Sequence, residues 1–412
     1  MTRVSNRFAL CFVAVSVTGL TASMAVHAQQ PAVPADADAL LERARALHRE
    51  VPLIDGHNDY PWALRQDAGG DFRKLDISRS QPSIMTDIPR LRAGGVGGQF
   101  WSVYVPADDP TPVVTTLEQI DTVHRMVREY PDTFTLALTA DDVERVFLTG
   151  RIASLVGMEG GHSIDSSLGA LRMFHRLGVR YMTLTHSENT PWADSATDTP
   201  ASGGLSPFGE QVVQEMNRLG MLVDLSHTSP GTMEDAFRVT TAPVIFSHSS
   251  ARGVTDVARN VPDAILKRLP ANGGVVMVTF VPGFVSSAVA AHDRALDAER
   301  ERLRREHPEN AAEVAAGLTL WRESNPIPRA TLSQVADHID YIRTIAGVDH
   351  IGLGGDFDGI TTVPVGLEDV STYPALTAEL LRRGYRDEDV RKILGLNLLR
   401  VMRGAERVAD VR

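Results

Sequence analysis

The sequence predicts an α/β fold, a (β/α)8 TIM-type barrel with a dinuclear metal site at its C-terminal face. Three observations lead there. Short apolar, β-branched runs alternate with helically spaced segments about eight times, the runs are apolar throughout, and four histidines stand at or just past the ends of such runs. A continuously apolar strand must be covered on both faces, which is the condition of a parallel sheet wrapped in helices. A doubly wound open sheet satisfies the same pattern, and closure into a barrel is the more economical arrangement.

Taken in order, the chain begins with Arg3 and Arg7, an apolar run from Phe8 to Leu20, and Val26-His27-Ala28, the pattern of a signal peptide cut before Gln29. A membrane anchor needs roughly 18 to 20 apolar residues, and this run is shorter. Residues 1–28 are therefore expected to be removed on export to a periplasm or medium, leaving 29–412 as a single catalytic barrel domain. Cleavage takes away Cys11, the sole cysteine, so disulfides and thiolate metal sites are excluded from the mature chain. The apolar run continues past Cys11, against a lipoprotein reading, and the charged stretch from Arg403 to Arg412 carries no hydrophobic tail for a lipid anchor.

The strand candidates are Val51 to Asp55, Val96 to Val105, Ile152 to Met158, Tyr181 to Thr185, Met221 to Leu225, Pro243 to Phe246, Gly274 to Phe280 and Ile351 to Gly355. Helical spacing covers Leu117 to Tyr130, Ser166 to Leu177, Pro207 to Leu219, Thr232 to Val239, Pro262 to Leu269 and Leu332 to Ala346. Ala375 to Arg383 and Asp387 to Met402 follow the last strand. The Arg/Glu-rich run from Asp293 to Glu309 reads as a solvated surface helix, and its place after a strand end also permits a lid over the barrel mouth. With 43% apolar and 23% charged residues the chain is of globular composition, which excludes disorder. Lys+Arg 41 against Asp+Glu 52 gives a formal charge of −11, which argues against nucleic acid as a partner.

Of the 13 histidines, His57, His186, His227 and His248 share one context, an apolar strand ending in His or in a hydroxyl residue followed by His. The carboxyl ends of barrel strands converge on one face, so these imidazoles meet at one mouth. A lone strand-end histidine is more often structural; four together are not. Residues i and i+2 of a strand project to the same side, so His57 and Asp59 can grip one cation. The run Val156-Gly157-Met158-Glu159-Gly160-Gly161 brings Glu159 to the same face, and Gly354-Gly355-Asp356-Phe357-Asp358-Gly359 brings Asp356. Imidazole and carboxylate without thiolate suit two Zn²⁺ per chain, with Mn²⁺ or Co²⁺ as substitutes. The lysines Lys74, Lys267 and Lys392 lie away from strand ends, so a carbamylated lysine cannot bridge the metals and the bridge falls to a carboxylate, Glu159.

These residues carry a resemblance. Ile54-Asp55-Gly56-His57-Asn58-Asp59, Gly157-Met158-Glu159-Gly160-Gly161, Leu184-Thr185-His186, Asn189-Thr190-Pro191-Trp192-Ala193-Asp194, Asp224-Leu225-Ser226-His227, Phe246-Ser247-His248-Ser249-Ser250, Arg259-Asn260-Val261-Pro262-Asp263 and the Asp356 segment resemble the membrane dipeptidase, or renal dipeptidase, family of zinc metallopeptidases. The matches run in order along nearly the whole mature chain. The resemblance implies a dinuclear zinc barrel in which His57 and Asp59 bind one metal, His227 and His248 the other, and Glu159 both. It also implies that His186 and Arg259 contact substrate and that Asp356 handles protons. Members hydrolyse free dipeptides, several accept a D-residue at the second position, some open the β-lactam of penems, and homodimers are usual. Two departures stand out: the chain lacks the cysteines that staple animal members, and Glu188 stands where those often have cysteine, close enough to His186 to alter the pocket's charge.

The expected chemistry is attack by a metal-bridging hydroxide, with Asp356 passing its proton to the leaving amine and His186 polarising the carbonyl. Arg259 would clamp the free carboxylate of a small dipeptide, which favours dipeptides over proteins. Trp62 and Trp192, each shortly after a ligand cluster, are candidates to wall the pocket. The same site could serve another amide or ester, such as a β-lactam, an N-acyl amino acid or a lactone. A non-catalytic metal-binding barrel is the reading from a different class, and the presence of all five ligands with Asp356 argues against it.

Overall fold

The computed structural model describes residues 35–410; the expected signal peptide and Cys11 lie outside them. The strands are β1 (Leu53–Asn58), β2 (Val96–Tyr104), β3 (Phe134–Leu136), β4 (Ile152–Glu159), β5 (Val179–Thr183), β6 (Leu222–Asp224), β7 (Ile245–Ser249), β8 (Val275–Val278) and β9 (Ile351–Leu353). All pair in parallel, in the order β2-β1-β9-β8-β7-β6-β5-β4-β3, and a further pairing of β2 with β4 closes the sheet into an eight-stranded barrel. The closed barrel expected from the sequence is thus the fold.

The alternation along each strand explains why the runs are apolar on both faces. Ile54, Phe100, Leu155, Tyr181, Ile245 and Met277 share one buried cluster. Their neighbours Leu53, Trp101, Val156, Met182, Phe246 and Val276 belong to the other, under the helices. One set fills the barrel and the other seats the helical layer, so neither face meets water. At the end where strands begin, Leu399 and Met402 of the helix Asn397–Val408 join the inner cluster, and Arg400 donates to the Gly273 carbonyl just before β8. The opposite end is left for polar groups.

Three departures from the expected elements have physical causes. The strand β3 has three residues, too few to show a period, and it pairs only with the start of β4, on the edge that β5 takes over further along. The stretch expected as one helix from Pro262 to Leu269 is two single turns, Asp263–Leu266 and Leu269–Asn272, because Pro270 has no N–H to continue the ladder. The helix expected from Asp387 to Met402 contains a π-helical turn, Lys392–Leu396. There Gly395 lies against strand β1 so closely that a Cβ would stand 2.2 Å from the Pro52 carbonyl oxygen. The charged segment forms the helix Ser287–Glu306, paired with Ala311–Ser324 and laced by surface ion pairs such as Arg302 with Glu299 and Glu306. Among the described residues no helix is long and apolar enough to cross a membrane.

Candidate active site

At the carboxyl ends of the strands, five side chains predicted as ligands converge. His57 lies within β1, and Asp59 follows at the N-cap of the helix Tyr60–Ala68. The Asp59 side chain makes no capping bond, which leaves its carboxylate free for the centre. Glu159 is the last residue of β4, and His248 lies in β7. His227 stands three residues beyond β6 with φ +68, a left-handed backbone that turns its ring back over the strand ends.

Glu159 offers one oxygen to each of two groups. Its Oε2 is 3.3 Å from His57 Nε2, which is itself 3.2 Å from Asp59 Oδ2. Its Oε1 is 3.1 Å from His227 Nε2 and 3.4 Å from His248 Nε2, and those two nitrogens face each other at 2.8 Å. His57 Nε2 is buried and forms no properly directed hydrogen bond, although two carboxylate oxygens stand close by. Donor atoms aimed at a shared point, with the nitrogens of two imidazoles in opposition, are the arrangement of ligands around cations rather than of a hydrogen-bond network. Three sets of His and carboxylate donors here lie close enough to hold an ion: His57, Glu159 and His248; Glu159, His186 and His227; and His57, Asp59 and Asp356. The residues therefore fit a metal centre.

Neighbouring groups orient the rings. Tyr181 donates its hydroxyl to the Gly56 carbonyl at 3.1 Å, so its oxygen accepts from His57 Nδ1 at 2.9 Å. Gly157 makes room for that phenol, since a Cβ there would lie 2.1 Å from the Tyr181 ring. Asp55 Oδ1 accepts from the N–H groups of His57 at 3.2 Å and Gly355 at 2.8 Å, tying the ends of β1 and β9 together. Asp356, three residues beyond β9, has φ +62. A Cβ on Gly359 would lie 2.3 Å from Asp59 Oδ2 and 2.6 Å from Asp356 Oδ1, so only glycine lets these two carboxylates close on one another.

The electrostatics divide the rings. Burial lowers the His57 pKa, but Tyr181, Glu159 and Asp59 together raise it well above the usual imidazole value. For His227, burial with the Arg259 and His186 charges holds the pKa well below that value. Burial and the His57 charge do the same for His248. The imidazolium of His57 keeps Glu159 ionised against its own burial. Asp356 is pushed well above the carboxylate range by burial and by Asp59 and Glu159, which outweigh His57 and Arg259.

Above this floor opens a cavity of about 490 Å³, with Trp62, Tyr104, Val281, Phe284 and Ile360 among its walls. His186, Arg259, Asp356 and Trp62 all line it. His186 Nε2 stands 3.7 Å from Glu159 Oε1, and its ring packs against those of His227 and Tyr104. Arg259, in the loop after β7, is 6% exposed and forms no ion pair among the described residues. Its guanidinium lies over the Phe284 ring and reaches the His248 carbonyl and Ser249 only at 3.4 and 3.5 Å.

One expected wall residue lies elsewhere. Trp192 is 1% exposed, packs against Phe208, and belongs to the core behind Gly161. Glu188 is exposed and does not line the cavity, although its charge reaches Tyr104 and His162. The Asp293 to Glu309 segment contributes no wall; Val281 and Phe284, just before it, do. Sequence reading missed Tyr104, Tyr181 and Asp358. Tyr104 ends β2, so the strand-end rule applied to histidines would have found it, whereas Tyr181 sits mid-strand and gave no signal.

Comparison with known proteins points to one family. Residues 41–412 match the membrane dipeptidase family, peptidase family M19. The chain is 42% identical over 382 residues to dipeptidase verJ of Clonostachys rogersoniana, covering 90% of this chain and 88% of that protein. Among solved structures it is similar to the probable dipeptidase PvdM of Pseudomonas aeruginosa, at 27% identity and a TM-score of 0.80, covering 90% of this chain and all of that one. It is also similar to a metallopeptidase of Rhodobacter sphaeroides bound to a phosphinate mimic of the dipeptide L-Ala-D-Ala, at 26% identity and a TM-score of 0.71, covering 86% and 99%. The chain belongs to the membrane dipeptidase family, peptidase family M19, and is a metal-dependent dipeptidase.

Proposed function

We propose that the enzyme hydrolyses the peptide bond of free L-L and L-D dipeptides with two divalent ions, zinc by preference. His57 and Asp59 would hold one ion, His227 and His248 the other, and Glu159 both. The observation that carries this reading is Glu159 itself, whose two carboxylate oxygens face two separate imidazole groups. Bound there, such ions would supply Lewis acidity and a nucleophilic water at neutral pH.

The chain's own residues then have distinct tasks. Arg259, buried and without an ion pair among the described residues, would bind the substrate's free carboxylate through two parallel N–H donors. Its ring contact with Phe284 holds the guanidinium plane in place. Asp356, whose carboxylate lies beside that of Asp59 across Gly359, would accept a proton on attack and return it to the leaving amine. His186, at the rim of the same floor and lowered in pKa chiefly by burial, would present a neutral ring to the carbonyl oxygen. Trp62 and Tyr104, edge to face at 5.0 Å, would enclose the substrate side chain.

A panel of an L-L dipeptide, the L-D isomer, the C-terminal amide and a penem, assayed before and after chelation, tests the reading. Chelator-sensitive cleavage of the free dipeptides with about two ions per chain is the expected result. Two bound ions without cleavage of any panel member would refute it. Export after cleavage near Ala28 and a homodimeric state are parts of the same proposal, checked by the N-terminal residue of the secreted chain and by sedimentation.

A further inference from the structure

We infer that Asp224, acting through the Ser247 hydroxyl, is the positioning residue that fixes the orientation and tautomer of His248. The inference rests on the ligand reading above.

Asp224 ends β6 and is fully buried. Its Oδ1 accepts from the N–H groups of Ser226 at 3.1 Å and Ser247 at 2.9 Å. Its Oδ2 accepts from the hydroxyls of Thr183 at 2.7 Å and Ser247 at 2.5 Å. Four donors from three adjoining strand ends, β5, β6 and β7, hold this carboxylate, which forms no ion pair among the described residues. A buried carboxylate can only accept, so the single proton of the Ser247 hydroxyl is committed to it. The Ser247 oxygen is then an acceptor, and His248 Nδ1, 2.8 Å away, must be the donor.

The consequence falls on the far side of the ring. With its proton on Nδ1, His248 turns the lone pair of Nε2 toward His227 Nε2 and Glu159 Oε1. Without Asp224, the serine hydroxyl is free to donate to Nδ1, which would place the N–H on Nε2 and point it at the ion position. A carboxylate relayed through a hydroxyl also raises the ring's basicity as a ligand. His227 has no equivalent: its Nδ1 finds no hydrogen-bond partner among the described residues. His57 is oriented by a phenol and a carbonyl instead. Of the three rings, His248 alone is linked through its outer nitrogen to a carboxylate among the described residues.

Ser247→Ala cuts the relay and leaves Asp224 its other three donors, while Ser247→Thr keeps a hydroxyl. Metal content after dialysis against graded chelator, the visible spectrum of the Co²⁺-loaded enzyme and the Tm of the metal-free protein are compared with those of His248→Ala. Ser247→Ala is expected to weaken one of the two ions about 10- to 100-fold and shift the Co²⁺ bands, with a metal-free protein that still unfolds cooperatively and with recovery in Ser247→Thr. Wild-type affinity and spectrum in Ser247→Ala, with an ion lost in His248→Ala, would overturn the relay alone. Both ions retained in His248→Ala would overturn the ligand reading and the relay with it. The ¹⁵N spectrum of the metal-free wild-type protein needs no variant: His248 protonated on Nδ1 supports the relay, and protonation on Nε2 overturns it.

Discussion

The group around His57 and the group around His248 share one carboxylate yet are built in different ways. His57 and Asp59 come from a single strand end, so their proximity is local and needs only the run of one backbone. His227 and His248 are 21 residues apart, and they meet because β6 and β7 pair with Asp224 opposite Ile245. The surroundings differ too: acidic neighbours raise the pKa of His57, while burial with nearby positive charge lowers those of His227 and His248. A metal centre can thus be assembled from one locally specified group of donors and one specified by sheet register, with a strand-end glutamate joining them.

The largest effect is expected where the halves join. Glu159→Ala should cost both ions and lower kcat/KM by at least about three orders of magnitude, as for groups that act as a unit. Retention of one tightly bound ion would show that a half stands alone. Asp356→Asn, on the His57 side, should keep both ions and lower kcat by about 10²- to 10⁴-fold. Unchanged turnover would remove Asp356 from proton transfer. Arg259→Leu, on the His248 side, should raise KM for free dipeptides about 10- to 100-fold, equivalent to a charged hydrogen bond of about 1.5–3 kcal/mol, and barely affect C-terminal amides. Equal effects on both substrates would refute the clamp.

The mildest probe is acid. In the metal-free protein the raised pKa of His57 favours the protonated ring, so an ion binding there must compete with a proton. His227 and His248, with lowered pKa, stay neutral to well below the usual imidazole value and bind an ion without that cost. As pH falls from neutrality, the ion at His57 and Asp59 should therefore leave first, while the other persists. Metal content after dialysis at graded pH checks this, and simultaneous loss of both ions would erase the electrostatic difference between the halves.

Much of the site was legible because strand ends are local features. A buried apolar run that stops at His or at His-x-Asp declares both its face and its end, so His57, Asp59, Glu159, His186, His227, His248 and Asp356 could be placed at one mouth. Where side-chain direction depends on a neighbour, the reading ran out. Trp192 follows a ligand motif as closely as Trp62 does, yet one packs in the core and the other walls the cavity. Tyr181 occupies an ordinary interior strand position, and nothing near it in sequence marks the phenol that orients His57. The strand β3 and the π-turn at Gly395 were invisible because each answers a distant segment, β4 in one case and Pro52 in the other.

The sequence by itself determined the barrel class, the donor types and which strand ends deliver them, because hydrophobic period and strand termination are written in consecutive residues. The tertiary structure alone decided how those donors divide into two groups around Glu159, which aromatic rings enclose the cavity, and how Asp224 reaches His248 through Ser247. Those outcomes turn on strand register, on left-handed residues such as His227 and Asp356, and on close approaches that only Gly157 and Gly359 permit. Each is set by contact between residues far apart in the chain, which no local pattern records.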